Sequence, residues 1–179
     1  GRPKGVVKFA TDVTEAKRRA ISDGAQIASI QRSQAVIHFH PDGTITEAND
    51  IFLRMMGYDR EDIIGKKHRM CVTAEYAESR EYAEFWEKLR GGEYQAAEYK
   101  RRGKDGREVW ILATYTPVLG LDGKLIEIVK FATDITESKL RNAYSAGQIA
   151  AINKSQAVIH FNMDGTILDA NDNFLDALG

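Results

Sequence analysis

The chain has 179 residues and a formal net charge of −1 at pH 7, from 25 basic and 26 acidic side chains. Because acids and bases are interspersed, the composition argues against a nucleic-acid partner and against direct membrane contact through a basic patch. The sequence has no apolar run of membrane-spanning length and no signal peptide, and the single cysteine, Cys71, excludes an intrachain disulfide. We therefore expect a cytoplasmic protein.

The first part of the chain predicts a strand followed by a linker helix. Residues 5–11 are rich in apolar and β-branched side chains, as in a strand. Residues 12–33 contain no proline, and Asp12 or Thr14 is a suitable N-cap for a helix there. Gly24 weakens this helix by about 1 kcal/mol relative to alanine, so it marks a candidate break between two pieces.

A hairpin and several short helices are predicted next. Residues 34–40 and 44–47 predict two strands joined by a Pro-Asp-Gly turn. Asn49 is a candidate cap for the short helix that follows, and Gly57 can end it. Scattered apolar positions over 58–78 predict short helices and loops.

The remainder of the central region predicts one helix and three strands. The helix covers 79–90 and ends at two glycines, and glycine-rich turns separate the strands. Two strands, then helices, then three strands indicate an α+β domain with an antiparallel sheet and helices on one face. The predicted strands are 93–102, 107–118 and 124–133.

The two ends of the chain repeat one another. KFATDVTEAK begins at Lys8 and KFATDITESK at Lys130, and SQAVIHF begins at Ser33 and again at Ser155, with an interval of 122 residues in both cases. Such a period is too long for a solenoid and suits one small domain per copy. We therefore expect one complete domain taken from a longer tandem array.

The order of elements and the motifs resemble the PAS domain, a sensory module of bacterial signalling proteins. The resemblance is carried by AVIHFHPDGTITEANDIFLRMMGY, GKKHRM, FWEKLRGGEYQAAEYKRRGKDGREVWI and IVKFATDITESK. The resemblance covers 34–139 completely, and the sequences of these motifs are most similar to those of PAS domains of soluble methyl-accepting chemotaxis proteins. The last motif contains Asp134-Ile135-Thr136, which is typical of the junction between a PAS domain and its output helix.

The resemblance implies a domain organisation for the whole chain. It implies a PAS fold with a five-stranded antiparallel sheet, short helices on one face and flanking linker helices, and it places the first strand beside the last. The fragments at the two ends would then pair with each other within or between molecules. The expected segments are 1–11 as the final strand of a preceding unit, 12–33 as a linker helix, 34–133 as the complete domain, 134–154 as a second linker helix and 155–179 as the start of a following unit.

The resemblance implies a domain that either holds a ligand between the sheet and the helices or transmits by dimerising without one. Haem-binding PAS proteins carry an axial histidine in the middle of the domain, where this chain has His68 among basic neighbours. Trp86, Trp110 and Tyr115 are candidates to line a flavin pocket, with packing of the hydrophobic core as the alternative. Asn49 is a candidate ligand contact as well as a cap. Haem, FAD and no cofactor all stay open, and no metal site is expected unless His68 binds haem.

Other residues have simpler expected roles. Cys71 is expected to be a small buried side chain. The basic run Lys100-Arg101-Arg102 is expected to be a solvated end of a hairpin. The face of strand 34–40 that is buried, and therefore the role of His38, stays open.

The favoured function is a non-catalytic sensor and relay of a chemotaxis-type transducer. Asp12, Thr14, Asp134 and Thr136 are the candidate signal junctions, where helix capping is the alternative role. The expected partners are a second copy of the chain, through linker helices and sheet edges, adjacent PAS units and a downstream signalling domain. The apolar stripes proposed for the contact comprise Val13, Ala20, Ile27 and Ile30 in the first linker, and Ile135, Ile149 and Ile152 in the second.

This function has three alternatives. A ligand-free dimerisation or scaffold module differs from a sensor in the absorbance spectrum of the purified protein. A PAS sensor of a histidine kinase or cyclic-dinucleotide enzyme differs only in its output domain. A haloacid-dehalogenase-type phosphatase is rejected, because Asn162 and, in the first copy, His40 occupy the position of the nucleophilic aspartate.

Overall fold

The computed structural model describes Lys8 and residues 12–178. The strand predicted over 1–11 lies outside the described residues apart from Lys8, as does the side chain of Ala20. The chain divides into two compact units, the first ending at Thr133 and the second beginning at Asp134. Within the described part, no helix is both long and apolar enough to cross a membrane.

The first unit opens with a single long helix. Helix α1 (Thr14–Ser33) is continuous through Gly24, so the predicted break is wrong. A glycine in a helix costs only about 1 kcal/mol relative to alanine, which neighbouring helix-forming residues offset. The other elements of this unit are β1 (Ala35–Phe39), β2 (Ile45–Ala48), α2 (Asp50–Met56), α3 (Arg60–Ile63), a short 3₁₀ helix (His68–Cys71), α4 (Ala74–Ala77), α5 (Arg80–Arg90), β3 (Gln95–Arg102), β4 (Glu108–Leu119) and β5 (Leu125–Asp134).

The five strands form one sheet in the order β2-β1-β5-β4-β3. The last strand of the first unit, β5, therefore lies beside β1, with Ile37 opposite Lys130 in an antiparallel register. This confirms the predicted α+β architecture with a five-stranded antiparallel sheet.

The hydrophobic core lies between one face of this sheet and the helices. Alternation along each strand directs every second side chain to that face. Phe52 and Met56 of α2 and Phe85 and Leu89 of α5 belong to the same cluster. The strands contribute Ala35, Ile37, Phe39, Ile45, Val109, Ile111, Ala113, Tyr115, Ile128 and Ala132.

The β1–β2 turn packs directly on α5. Gly43 in this turn has φ of 81°, and a Cβ atom there would lie 3.1 Å from the Trp86 ring. Glycine satisfies both the left-handed backbone and the close approach. The turn is thereby fixed against the helix that carries Trp86.

The second unit repeats the start of the first. Its elements are α6 (Thr136–Ser155), β6 (Ile159–Phe161), β7 (Ile167–Ala170) and α7 (Asp172–Leu178). The β6–β7 hairpin has the same register as β1–β2, including the shift after the histidine. Phe161 and Ile167 are 56% and 60% exposed, whereas the matching Phe39 and Ile45 are 1% exposed.

Candidate functional site

The β1–β2 turn positions His68 at the centre of the first unit. The amide of His68 donates to the carbonyl oxygen of Gly43 at 2.9 Å. The preceding side chain, Lys67, binds the carboxylate of Asp42 at 2.6 Å. These two contacts hold the start of the 3₁₀ helix against the turn, so that the imidazole enters the core, where it is 1% exposed.

Both ring nitrogens of His68 are hydrogen-bonded to tyrosine hydroxyls. Nδ1 lies 3.0 Å from the hydroxyl oxygen of Tyr82, and Nε2 lies 3.0 Å from that of Tyr115. In a neutral imidazole one nitrogen donates and the other accepts, so each tyrosine has a different role. Burial, followed by the positive charges of Arg101 and Lys130, lowers the pKa of His68 well below 6.5. His68 is therefore neutral at pH 7.

Aromatic rings surround the imidazole. The ring centroids of Phe39 and Trp86 each lie 5.4 Å from that of His68, in edge-to-face geometry. Phe85 and Tyr115 are also edge-to-face, with centroids 4.9 Å apart. Edge-to-face pairs stabilise a core beyond their buried area. The cluster is consequently both a packed core and a polar network.

Arg101 carries a second buried polar group next to this network. Its side chain is 3% exposed, and its guanidinium lies over the ring of Tyr99 at 4.5 Å. One terminal nitrogen donates to the hydroxyl of Tyr115 at 3.1 Å, and the other donates to the carbonyl oxygen of Lys100 at 3.0 Å. The Nε–H has no hydrogen-bond partner. The prediction that Arg101 belongs to a solvated hairpin end is therefore wrong.

Lys130 brings a second buried positive group into the core. It is 1% exposed, and its Nζ lies 5.3 Å from the centre of the Phe52 ring and 5.1 Å from that of Tyr115. Burial lowers the pKa of Lys130 below 10.5, and the charge of Arg101 lowers it further. Burial alone would raise the pKa of Tyr115, but the charges of Arg101 and Lys130 outweigh burial and lower it.

The two buried cations face no buried carboxylate. Among the described residues, the buried polar and charged side chains are His68, Arg101 and Lys130 alone. No ion pair in this part of the chain involves Arg101 or Lys130. Burial of a charge without a partner of opposite charge is costly, so this arrangement is unusual for a purely structural core.

The predicted ligand contacts separate into three places. His68, Trp86 and Tyr115 meet in the core cluster. Trp110 lies on the opposite face of β4 from Tyr115, because the buried positions of that strand alternate and Trp110 falls between two of them. No single pocket is therefore formed by the four candidate residues for haem or flavin binding, which are His68, Trp86, Trp110 and Tyr115.

Asn49 lies at the joint between α1, β1 and α2. Its Oδ1 accepts from the amides of Val36 at 3.0 Å and Phe52 at 2.9 Å. Its Nδ2 donates to the carbonyl oxygens of Gln31 and Gln34, both at 2.8 Å. Both hydrogen-bonding atoms of the Asn49 side chain therefore bind backbone groups, and this geometry favours the capping role over a ligand contact.

Asn171 makes the same four kinds of contact in the second unit. Its Oδ1 accepts from the amides of Val158 at 2.8 Å and Phe174 at 3.0 Å. Its Nδ2 donates to the carbonyl oxygens of Asn153 at 2.8 Å and Gln156 at 2.6 Å. The attachment of a linker helix to the hairpin that follows it is therefore a repeated feature of the chain.

The two predicted signal junctions have identical local geometry. The carboxylate of Asp12 accepts from the amide of Thr14 at 2.8 Å, and that of Asp134 accepts from the amide of Thr136 at 2.8 Å. In both places the aspartate binds the first residue of a 20-residue helix. The hydrogen bonds to Thr14, from its side chain and its amide, lower the pKa of Asp12. The aspartates thus satisfy an otherwise unpaired amide at the start of each helix.

The arrangement of the core does not fit haem or flavin. Iron would need a ring nitrogen of His68, and both are bound to tyrosines. A flavin would need space between Phe85, Trp86 and Tyr115, whose rings contact one another. In the described part of the chain, no group of three or more His, Cys, Asp or Glu side chains could hold a metal. Burial raises the pKa of the Cys71 thiol, which is therefore protonated.

The buried arginine and lysine were missed by reasoning from the sequence. A signal for both exists in the strand alternation. Arg101 follows Tyr99 by two positions, and Lys130 lies between Ile128 and Ala132 at the same spacing, so each falls on the inward face of its strand. A basic residue at an inward position is the pattern that predicts a buried charge.

The sheet order, the helices on one face and the buried cluster define the class of the protein. Residues 45–132 match the family described as the PAS fold. The PAS domain from a Colwellia psychrerythraea protein matches with a TM-score of 0.57 at 21% identity, over 65% of this chain and 98% of that one. Residues 45–132 therefore belong to the PAS family, and the predicted resemblance is confirmed.

One relative is named for biofilm dispersion, and another is a receptor by name. The chain is 42% identical over 153 residues to Biofilm dispersion protein BdlA of Pseudomonas aeruginosa, which covers 86% of this chain and 37% of BdlA. It is 28% identical over 96 residues to the Aerotaxis receptor of Escherichia coli, covering 54% of this chain and 19% of the receptor. The chain thus spans about a third or less of either relative and is related to PAS proteins of the chemotaxis type.

Proposed function

We propose that the chain is a non-catalytic, cytoplasmic sensory and relay module of a chemotaxis-type transducer. The PAS domain receives a chemical signal in its core and passes it to a helical output through Asp134-Ile135-Thr136. The relationship to BdlA and to the Aerotaxis receptor supports the class of transducer. The buried polar network supports a sensing role, since two buried cations without a buried carboxylate partner are costly for a purely structural core.

The observation that carries the proposal is the path of β5. This strand contains Lys130 in the buried cluster and ends at Asp134, whose carboxylate binds the first amide of α6 at 2.8 Å. Five residues therefore separate Lys130 from Thr136, the first residue of α6. A change of charge or packing at Lys130 alters the strand that leads into α6, which is the two-state element that signalling requires.

The chemistry of the core supports a role without catalysis. The imidazole of His68 is held between two tyrosine hydroxyls and carries no proton that a substrate could reach. The Cys71 thiol is buried and protonated, which makes it a poor nucleophile. A sensor needs a ligand-dependent change in packing and no such reactive group.

The proposed partner is a second copy of the chain. Helix α1 exposes Ile27 at 57% and Ile30 at 42%, and α6 exposes Ile149 at 55% and Ile152 at 48%. Exposed apolar side chains at helical spacing favour a contact between linker helices. The open hairpin of the second unit is a second candidate surface, because Phe161 lacks the cover that Phe39 has. Adjacent PAS units and a downstream signalling domain complete the proposed set of partners.

A chimera tests the relay. In it, this chain replaces the segment of BdlA to which it aligns, and biofilm dispersion by the host is measured. We expect dispersion to be retained, and we expect Asp134→Ala in the chimera to reduce it because the first turn of α6 loses its anchor. Asn142→Ala, at an exposed position of α6, is the matched control and should have no effect. Equal dispersion with Asp134→Ala, at equal protein abundance, would contradict a relay through this junction.

A further inference from the structure

The hydroxyl of Tyr115 is the meeting point of the buried polar network. Its oxygen lies 3.0 Å from Nε2 of His68 and accepts from a guanidinium nitrogen of Arg101 at 3.1 Å. The ammonium of Lys130 is hydrogen-bonded to the same oxygen. All four side chains are 3% exposed or less. The hydroxyl therefore has three polar partners inside the core and no direct contact with bulk water.

These partners determine the direction of each hydrogen bond. Arg101 and Lys130 carry donors only, so they use the two lone pairs of the tyrosine oxygen. The single O–H of Tyr115 must then donate to Nε2 of His68. Because a neutral imidazole has one donor and one acceptor nitrogen, Nδ1 carries the ring proton and donates it to the hydroxyl of Tyr82 at 3.0 Å. The donors thus point in one direction, from Tyr115 through His68 to Tyr82.

Tyr82 brings this chain of hydrogen bonds to the protein surface. Its side chain is only partly buried and lines a cleft of about 340 Å³. The same cleft is lined by the exposed side chains of Lys67, Arg69 and Arg90, so solvent can enter it. A proton can therefore pass between the buried Tyr115 and solvent through two side chains, without opening of the core.

The charges around Tyr115 favour its ionised form. Arg101 and Lys130 both donate to the oxygen that carries the negative charge in a phenolate, and no buried carboxylate of the described residues competes for them. Their charges outweigh burial and lower the pKa of Tyr115. At the other acidic groups of the cluster burial prevails and raises the pKa: these are Cys71, Tyr76, Tyr82 and Tyr99.

We propose that Tyr115 is a pH-responsive switch of this domain, and that His68 and Tyr82 form the path by which its proton reaches solvent. On ionisation the O–H bond of Tyr115 breaks and an Nε2–H bond forms on His68. The Nδ1 proton passes to Tyr82, and the original hydroxyl proton of Tyr82 passes to water or hydroxide in the cleft. His68 changes tautomer without becoming charged, and the reverse sequence restores the phenol.

Both states of this network are fully hydrogen-bonded along the path. In the ionised state the phenolate oxygen accepts from Nε2–H, and Nδ1 accepts from the hydroxyl of Tyr82. The inference deepens the sensory role proposed above and rests on it for its meaning, with pH as the signal. Ionisation is measured without the relay, so the two fail separately: a chimera can transmit although Tyr115 keeps its proton, and Tyr115 can ionise although the chimera is silent.

The first test is a pH titration of the full chain, followed by the ultraviolet absorbance of tyrosinate, to which loss of a proton from Lys130 does not contribute. One of the seven tyrosines should ionise before the other six, at a pH below 10, while circular dichroism shows that the chain stays folded. Tyr115→Phe should remove this early step, whereas Tyr94→Phe, at an exposed position, should retain it. An early step that is absent from the wild type, or that persists in Tyr115→Phe, overturns the proposal.

A second variant keeps the titration decisive if Tyr115→Phe does not fold. Lys130→Met should move the early step to higher pH, because the phenolate loses one neighbouring positive charge. Lys104→Met, at an exposed position where the lysine pairs with Asp59 and Asp62, is the matched control and should leave the step unchanged. An early step at the same pH in Lys130→Met and the wild type contradicts the assignment to Tyr115.

The path is tested by the rate of ionisation after a rapid rise in pH. Tyr82→Phe should slow the early appearance of tyrosinate at least about tenfold while its final amplitude is retained, because the proton loses its way out. Tyr76→Phe is the matched control: its ring centre lies 5.5 Å from that of Tyr82, outside the chain of hydrogen bonds, and the rate should stay that of the wild type. Equal rates in Tyr82→Phe and the wild type, or equal slowing in both variants, would overturn the path.

Discussion

His68 is a neutral histidine whose two ring nitrogens are both occupied. Its pKa lies well below 6.5, first because of burial and then because of the charges of Arg101 and Lys130. As the pH falls below about 6.5, the unfolded chain takes up a proton at this residue before the folded chain does. The associated stability is therefore complete above this pH and is lost progressively as the pH falls.

This behaviour predicts a pH-dependent stability. Between pH 7.5 and 5.5, thermal or urea unfolding of the wild type should lose up to about 1.4 kcal/mol per pH unit from this one group. His68→Gln, which keeps hydrogen-bonding atoms but does not titrate, should show a smaller slope. His40→Gln, at an exposed position, is the control and should keep the wild-type slope. Identical slopes for all three proteins would exclude His68 as the source.

Lys130 is hydrogen-bonded to Tyr115 but has no buried carboxylate partner in the part of the chain that the structure describes. Its Nζ lies between two aromatic rings, and an apolar side chain of similar length fits such surroundings. The buried lysine is therefore expected to cost stability.

Replacement of this lysine should stabilise the ligand-free protein. We expect Lys130→Met to increase the free energy of unfolding by about 1–3 kcal/mol in urea titrations, because the burial cost of the ammonium and its repulsion from Arg101 disappear. Lys104→Met is the matched control: this exposed lysine pairs with Asp59 and Asp62, so its loss should be neutral or slightly destabilising. A destabilised Lys130→Met protein would show that the lysine serves the fold.

At the level of elements, the linker helices are attached in the same way at both copies. An asparagine binds the carbonyl oxygens at the end of the helix, as Asn49 does for α1 and Asn171 for α6. An aspartate binds the first amide of the helix, as Asp12 and Asp134 do. Each end of each helix is thus fixed by a single short side chain.

The exposed stripe of α6 predicts a dimer contact. Replacing Ile149 and Ile152 by glutamate should lower the mass measured by light scattering toward that of a monomer, because like charges would face each other in an apolar contact. The control is Ala143→Glu with Ala151→Glu, which adds the same charge on the opposite side of the helix at 100° per residue. An unchanged mass in the isoleucine variant, or an equal loss in both, would refute this contact.

Most elements were predictable because local rules determine them. The hairpin turn at Gly43, the capped helix that ends at Gly57 and the strand alternation around Tyr115 are each specified by neighbouring residues. The buried cluster was only partly predictable, since Arg101 and Lys130 come from strands that are distant in sequence. Their burial depends on the sheet order, which brings β5 beside β4 and β1. Trp110 was a candidate for the pocket because its ring is large. Its position in β4, however, places the side chain on the opposite face of the sheet from Tyr115.

For the whole molecule, the central claim is that the chemical state of the PAS core is passed to the helix that follows it. The first unit contains the buried cluster, β5 leads out of it, and the second unit begins at Asp134 with the anchor of α6. The account therefore predicts that a change confined to the core alters the first turns of α6. Lys130→Met is such a change, since the side chain is 1% exposed.

Hydrogen-exchange mass spectrometry of the full chain tests this claim most directly. We predict that Lys130→Met changes the exchange of amides in residues 134–142, beyond the end of the domain, whereas Arg102→Gln leaves them as in the wild type. A Lys130→Met protein in which exchange changes only up to residue 133 would contradict the relay. The amides of the first turn of α6 are thus the decisive ones.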